Sequence, residues 1–200
     1  MPRTEFTPSI PSRPVYSGLS SHGSSSALML AEGEGAEAIL DLAAQDAAVM
    51  DRAHLIFIPA GTGHGPALRA LGAKSYVEVP GFATALDRYR KALADAHMGT
   101  RLYVAGSEGM IGQAVAEALA AGLPADAIET EHRGGIARRM QCVHCKGITE
   151  GVTTDPFLCA HCGLTLFVRD HYSRRLGAFQ GVCVDAETPG DVPAVQEIKP

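Results

Sequence analysis

The sequence predicts an α/β protein with a parallel five-stranded sheet, followed by a small β-rich, metal-binding C-terminal domain. Three observations carry this. Short apolar runs alternate five times with stretches of helical periodicity between Ala27 and Glu131. All five cysteines fall after residue 140, four of them as two C-x2-C pairs. The charge is uneven: His132 to Cys183 holds seven Lys/Arg against three acids, a local +4 in a chain of net −5 that leaves −9 elsewhere.

Residues 1–26 are rich in Pro and Ser and bury too little surface to offset the entropy of ordering, so they are expected to form an arm that is disordered or wraps a partner. The first unit pairs Leu28-Met29-Leu30 with a helix whose inner face is Ala36, Ile39, Leu40, Ala43 and Ala47. The second sets the strand His54 to Ile58 before a glycine-rich turn and a short helix bearing Leu68 and Leu71, closed at Gly72. The third joins Tyr76 to Val79 with a helix carrying Phe82, Leu86, Tyr89 and Leu93. In the fourth, Leu102 to Ala105 lead into a helix capped by Ser107 that turns Met110, Ile111, Ala114, Val115, Ala118 and Leu119 inward, stopped by Gly122 and Pro124. A last strand over Ala127 to Glu131 completes the sheet, giving an α/β domain over 27–134, a metal-binding ribbon over 135–185 and a tail over 186–200.

The chain is 46% apolar, enough for a buried core, which excludes fibrous and wholly disordered classes. Apolar runs fall short of the roughly 18 to 20 residues of a membrane span, and Pro2, Pro8, Pro11 and Pro14 stand where a signal core would lie. A soluble, cytoplasmic chain with no membrane contact is expected. The net negative charge argues against a nucleic-acid binder, although the basic ribbon keeps that alternative open.

Cys142-Val143-His144-Cys145 and Cys159-Ala160-His161-Cys162 are separated by thirteen residues. Each pair can form a tight turn aiming two thiolates at one ion, so Cys142, Cys145, Cys159 and Cys162 are the expected metal ligands. Structural zinc is favoured and rubredoxin-like iron is the alternative, because both accept four thiolates. His144 and His161 are expected beside the site rather than on the ion, and Cys183 as a buried small hydrophobe.

Two glycine loops follow predicted strands: Gly61-Thr62-Gly63-His64-Gly65-Pro66, and Ala105-Gly106-Ser107-Glu108-Gly109-Met110. They are the candidate cofactor-binding residues (Gly61, Thr62, Gly63, Gly106, Ser107), since such turns can bring backbone N–H groups to a pyrophosphate. These stretches resemble the nicotinamide-nucleotide domain of ferredoxin reductase-like flavoproteins. Leu55 to Leu68 is similar to that family's Gly-Gly-Thr-Gly-Ile-Thr-Pro strand-loop-helix, and Leu102 to Glu131 to its second loop, helix and strand. The resemblance implies a Rossmann-like fold and NADPH as the ligand. Ala60, His64, Ala105 and Ser107 depart from the pattern, and only some fifty residues precede His54, leaving no room for a flavin barrel. The expectation is therefore weak NADPH binding or none.

The C-terminal part, from the first cysteine pair through Phe157 to Gly163 and Leu166 to Val182, resembles the small subunit of bacterial dimethylamine monooxygenase, with a zinc-ribbon-like domain. That family implies an NADPH- and O2-dependent complex oxidising dimethylamine to methylamine and formaldehyde. Its partners are a catalytic haem subunit and a reductase subunit carrying flavin and a [2Fe–2S] cluster. The resemblance implies an accessory, non-catalytic role for this chain, in assembly and electron-transfer docking. An NAD(P)H-binding role beside the reductase and a rubredoxin-like electron carrier are the alternatives. Arg169, Tyr172, Arg174 and Arg175 form a donor-rich segment expected to dock an acidic partner.

Overall fold

The computed structural model describes residues 12–23 and 25–198. The first sheet contains β1 (Ala27–Glu32), β2 (Ala53–Ile58), β3 (Ser75–Glu78), β4 (Arg101–Gly106) and β5 (Ile128–His132). Every pair is parallel and the order is β3-β2-β1-β4-β5. The chain winds outward from β1 first one way and then the other, so the order reverses between β1 and β4. Central strands of such a sheet are covered on both faces and read as continuous apolar runs. Met29, Ala31, Leu55, Phe57, Tyr103 and Ala105 face α1 (Gly35–Gln45), α2 (Gly65–Ala70) and the 3-10 turn Ala47–Arg52. Leu28, Leu30, Ile56, Ile58, Leu102 and Val104 face α3 (Phe82–Ala94) and α4 (Glu108–Ala120). Tyr89, buried from α3, directs its hydroxyl to the Ala114 carbonyl of α4 at 2.9 Å, which satisfies its one polar atom inside the core.

The C-terminal domain is a mixed sheet of β6 (Arg138–Cys142), β7 (Ile148–Val152), β9 (Phe157–Leu158), β10 (Thr165–Ser173) and β11 (Ala178–Cys183), in the order β7-β6-β11-β10-β9. β6 and β11 pair in parallel, Phe179 opposite Met140 and Gly181 opposite Cys142; the other pairs are antiparallel. Met140, Phe157, Leu166 and Phe179 form its core together with Cys142 and Cys159. The tail assigned to 186–200 returns to this domain: β12 (Gln196–Glu197) pairs with β8 (Thr154–Asp155), and Ile198 is buried.

The arm assigned to 1–26 falls partly on residues 1–11 and 24, outside the described residues. The rest runs along its own chain. Gly18 N donates to Thr130 O at 3.1 Å, while Leu19 N and Ser20 N donate to the carboxylates of Glu131 and Glu129 at 3.0 and 2.6 Å. These acceptors on the edge strand β5 replace the water that a Pro/Ser-rich stretch would otherwise keep, and they cover the sheet edge. No helix among the described residues is long and apolar enough to cross a membrane.

The two domains meet on α4. Gly112 lies directly against Gly177, in the turn between β10 and β11, and a Cβ at Gly112 would stand 2.8 Å from the Gly177 carbonyl and 2.5 Å from the Tyr172 hydroxyl. A larger residue forces backbone apart from backbone. Gly112→Ala is expected to destabilise the chain by about 1–3 kcal/mol, whereas Gly109→Ala, whose Cβ would find only ordinary contact at 3.8 Å, leaves stability unchanged or slightly raised. Paired thermal melts of the two variants check this.

Candidate functional site

The four cysteines sit in two turns built alike. In the first, Cys142 N donates to Gly147 O at 2.9 Å and Lys146 N to Cys142 O at 3.0 Å; in the second, Cys159 N donates to Leu164 O at 2.9 Å and Gly163 N to Cys159 O at 3.0 Å. Both turns close through a left-handed residue after the second cysteine, Lys146 at φ 63° and Gly163 at φ 73°. The first turn links β6 to β7 and the second leads from β9 to β10, so the sheet carries both to one end.

All four sulfurs lie within 4.8 Å of one another, with Cys142 Sγ and Cys162 Sγ 3.8 Å apart and Cys145 Sγ and Cys159 Sγ 3.7 Å apart. A tetrahedral ion with metal–sulfur bonds of about 2.3 Å requires sulfur separations of about 3.8 Å. The set therefore fits one four-thiolate metal with no open position. Gly147 N donates to Cys145 Sγ at 3.4 Å. Burial pushes the Cys159 thiol up, but the N–H groups of Cys162 and His161 outweigh it and bring the thiol down to about 6, towards the thiolate that a metal takes.

Neither histidine belongs to the cluster. His144 is exposed; His161 places Nε2 2.7 Å from Ile148 O, and its ring fills the space left by Gly147. With Ala160 N donating to Thr149 Oγ1 at 3.1 Å, His161 fastens the second turn to β7. Cys183 departs from its expected burial: it ends β11 half-exposed, its thiol donating to Asp185 Oδ1 at 3.1 Å.

The candidate cofactor residues are not brought together. Gly61, Thr62 and Gly63 follow β2, while Gly106 ends β4 and Ser107 follows it, two strands away or about 10 Å. Between them stands the loop after β1, Glu32-Gly33-Glu34-Gly35, which borders the point where strand order reverses. Sequence reasoning passed over this loop. A Gly-x-Gly directly after a strand was the available signal, masked by its two glutamates. Ala60 and Gly61 both adopt positive φ, and Thr62 N donates to Pro59 O at 2.9 Å, so the Gly61 loop is a tight turn held by its own backbone.

The candidate docking residues also separate. The Arg169 guanidinium stacks over Phe167 at 5.3 Å. Tyr172 meets Phe179 edge-on and presses its hydroxyl towards Gly112, so its first role is to hold the domains together; burial pushes that hydroxyl upward in pKa. Arg174 and Arg175 are exposed. Arg174 and Tyr172 border a groove of about 330 Å³ whose apolar wall includes Val15, Ile111, Val115 and Leu119.

Fold and site together define a parallel α/β unit joined to a β-rich domain that carries four clustered cysteines. Family models described as dimethylamine monooxygenase subunit DmmA-like match the chain twice, the N-terminal domain over residues 8–128 and the C-terminal domain over 139–182. The chain belongs to this DmmA-like family. A curated relative from Ectopseudomonas mendocina (strain ymp), heme-dependent oxidative N-demethylase delta subunit, is 36% identical over 118 residues, covering 58% of this chain and 67% of the relative. Among solved structures, phthalate dioxygenase reductase aligns at 14% identity and TM-score 0.44, over 65% of this chain and 45% of that one. An intact type IV self-sufficient cytochrome P450 monooxygenase aligns at 16% identity and TM-score 0.44, over 79% of this chain and 21% of that one. The chain thus spans less than half of either solved protein.

Two outcomes follow from the geometry. Because apparent metal affinity in small zinc-bound units is worth about 10 kcal/mol or more, Cys159→Ser is expected to release the metal and unfold residues 138–183 while the α/β helical signal persists. Metal analysis and circular dichroism read both parts. In the other loop, Gly61→Ala costs about 1–2 kcal/mol, because Gly61 holds φ 84°, whereas Gly63→Ala, at ordinary φ and with nothing within 4 Å of its Cβ, leaves denaturant stability unchanged.

Proposed function

We propose that the chain is the accessory small subunit of a multicomponent, NADPH- and O2-dependent demethylase that converts dimethylamine to methylamine and formaldehyde. The observation that carries this reading is the ordered match of both DmmA-like domain models across the chain, supported by the 36% identical delta subunit of a heme-dependent oxidative N-demethylase. Haem would sit on a catalytic partner, and flavin and a [2Fe–2S] cluster on a reductase partner. The role here is assembly and docking for electron transfer. Cys142, Cys145, Cys159 and Cys162 would hold zinc as a structural ion, since four thiolates leave no position for a substrate or water.

Metal analysis with a visible spectrum of the isolated chain tests the metal. One zinc and no colour are expected; a red iron protein would replace the structural reading with an electron-carrying one.

The docking surface we assign is the groove beside Arg174, together with Arg175. Neither arginine makes an ion pair among the described residues, so both are available to an acidic partner surface. Arg174→Glu combined with Arg175→Glu is expected to weaken co-purification with the catalytic and reductase subunits at least tenfold, about 1.4 kcal/mol, and added salt should weaken the unmodified complex in the same direction. Unchanged co-purification of the double variant returns both arginines to ordinary solvated surface.

A further inference from the structure

We infer that the crevice between β1 and β4, which stands where a sheet of this order would take a dinucleotide, does not take one because its anion position is filled by the chain's own Glu32. In an open parallel sheet the crevice at the reversal of strand order is where a pyrophosphate settles, held by backbone N–H groups at the start of a helix. That crevice lies here between the loop after β1 and the N-terminus of α4. Its walls are in place. Gly35 lies so close to the Ala105 carbonyl and Gly106 N that a Cβ would collide with them, and Gly106, at φ 150°, lies against Glu32.

The contents are inverted in charge. Glu32 Oε2 accepts from Ser107 N at 3.3 Å and from the Ser107 hydroxyl, while Ser107 Oγ accepts from Met110 N at 3.3 Å. The Glu32 carboxylate therefore occupies the N–H and hydroxyl of Ser107, the N-cap of α4, at the place where a phosphate would settle. At the start of α1, Ala36 N and Glu37 N are already engaged by the carbonyls of Gly33 and Glu34. Glu34 and Glu37 add two more carboxylates beside that helix start, Glu34 with its Oε2 3.1 Å from His64 Nε2. Arg133, a cation at the same end of the sheet, is engaged by three carboxylates, Glu131 at 2.7 Å, Asp41 at 2.9 Å and Glu37 at 3.3 Å. Glu32 sets a carboxylate where the diphosphate would lie, with Glu34 and Glu37 close by on His64 and Arg133, and like charge in that place opposes the ligand. The residues present do not fit NADPH, so a hydride donor bound by this chain is not part of its chemistry.

This inference stands apart from the demethylase reading, and its test uses the isolated full chain with NADPH, followed by nicotinamide fluorescence and by the amide resonances of Ser107 and Glu108. The unmodified chain is expected to show no saturation below about 1 mM and no movement of those amides. Glu32→Gln keeps the side-chain shape and the acceptor for Ser107 but removes the charge; Glu32→Gly with Glu34→Thr clears the anion position. NADPH affinity is expected to rise in that order, by at least about tenfold in the double variant, with the Ser107 and Glu108 amides shifting on titration. Should the double variant fail to fold, Glu32→Gln alone decides, through its gain in affinity and the shift of the two amides. Micromolar binding by the unmodified chain, folded variants without any gain, or a gain that leaves both amides unmoved would each overturn the inference.

Discussion

Glu108 is the group on which the arrangement of the molecule turns. It opens α4 with only 2% of its surface exposed, and removing a carboxylate from water costs several kcal/mol unless partners are supplied. Burial accordingly pushes its pKa up, against the opposing pull of the Tyr16 hydrogen bond and of Arg138. The partners come from everywhere else in the chain. Tyr16 of the arm donates at 2.9 Å, and Arg138 of β6, itself 4% exposed and stacked over Phe179, approaches to 3.7 Å. Asp170 meets Arg138 at 2.8 Å from a stretch of β10 where the register shifts, and Arg13 approaches Asp170 at 3.8 Å. One buried carboxylate thus requires the arm, the α/β domain and the ribbon to be assembled together.

The two chemically distinctive places in the molecule follow opposite rules. At the four-cysteine end, backbone N–H groups point at sulfur, and at Cys159 they favour the thiolate that a cation takes. At the carboxyl end of the parallel sheet, the helix start that would favour an external anion is satisfied internally by Glu32. The same sheet geometry can thus present a helix start to a ligand or to a side chain of its own, which is why architecture alone is a poor guide to activity.

Local patterns were legible and long-range ones were not. The five β/α units, the cap at Ser107 and the cysteine quartet could be read because each depends on residues a few positions apart. The reversal between β1 and β4 depends on strand order, which no single unit encodes; the Leu55 to Leu68 resemblance accordingly pointed to the loop after β2, and the loop after β1 went unread. Glu108, Arg138 and Asp170 look like surface charges in sequence, because nothing local announces that α4, β6 and β10 converge. The arm's composition predicted a segment that is disordered or wraps a partner, and it could not show that Leu19 and Ser20 lie on the chain's own β5: the acceptors on Glu129 and Glu131 stand more than a hundred positions away. For Tyr172 the aromatic ring was visible and its partner Gly112 was not.

The parallel pairing of β6 with β11 has a consequence for the order in which the ribbon can form. A hairpin cannot join parallel neighbours, so the pairing of Gly181 with Cys142 has to close over residues 143–180, which carry β7 to β10. That closure is non-local and entropically slow. Both cysteine turns lie inside this span or at its border, and each is closed by its own backbone bonds within six residues. An ion held by the four cysteines would gather the two turns and so shorten the effective loop that this closure has to span.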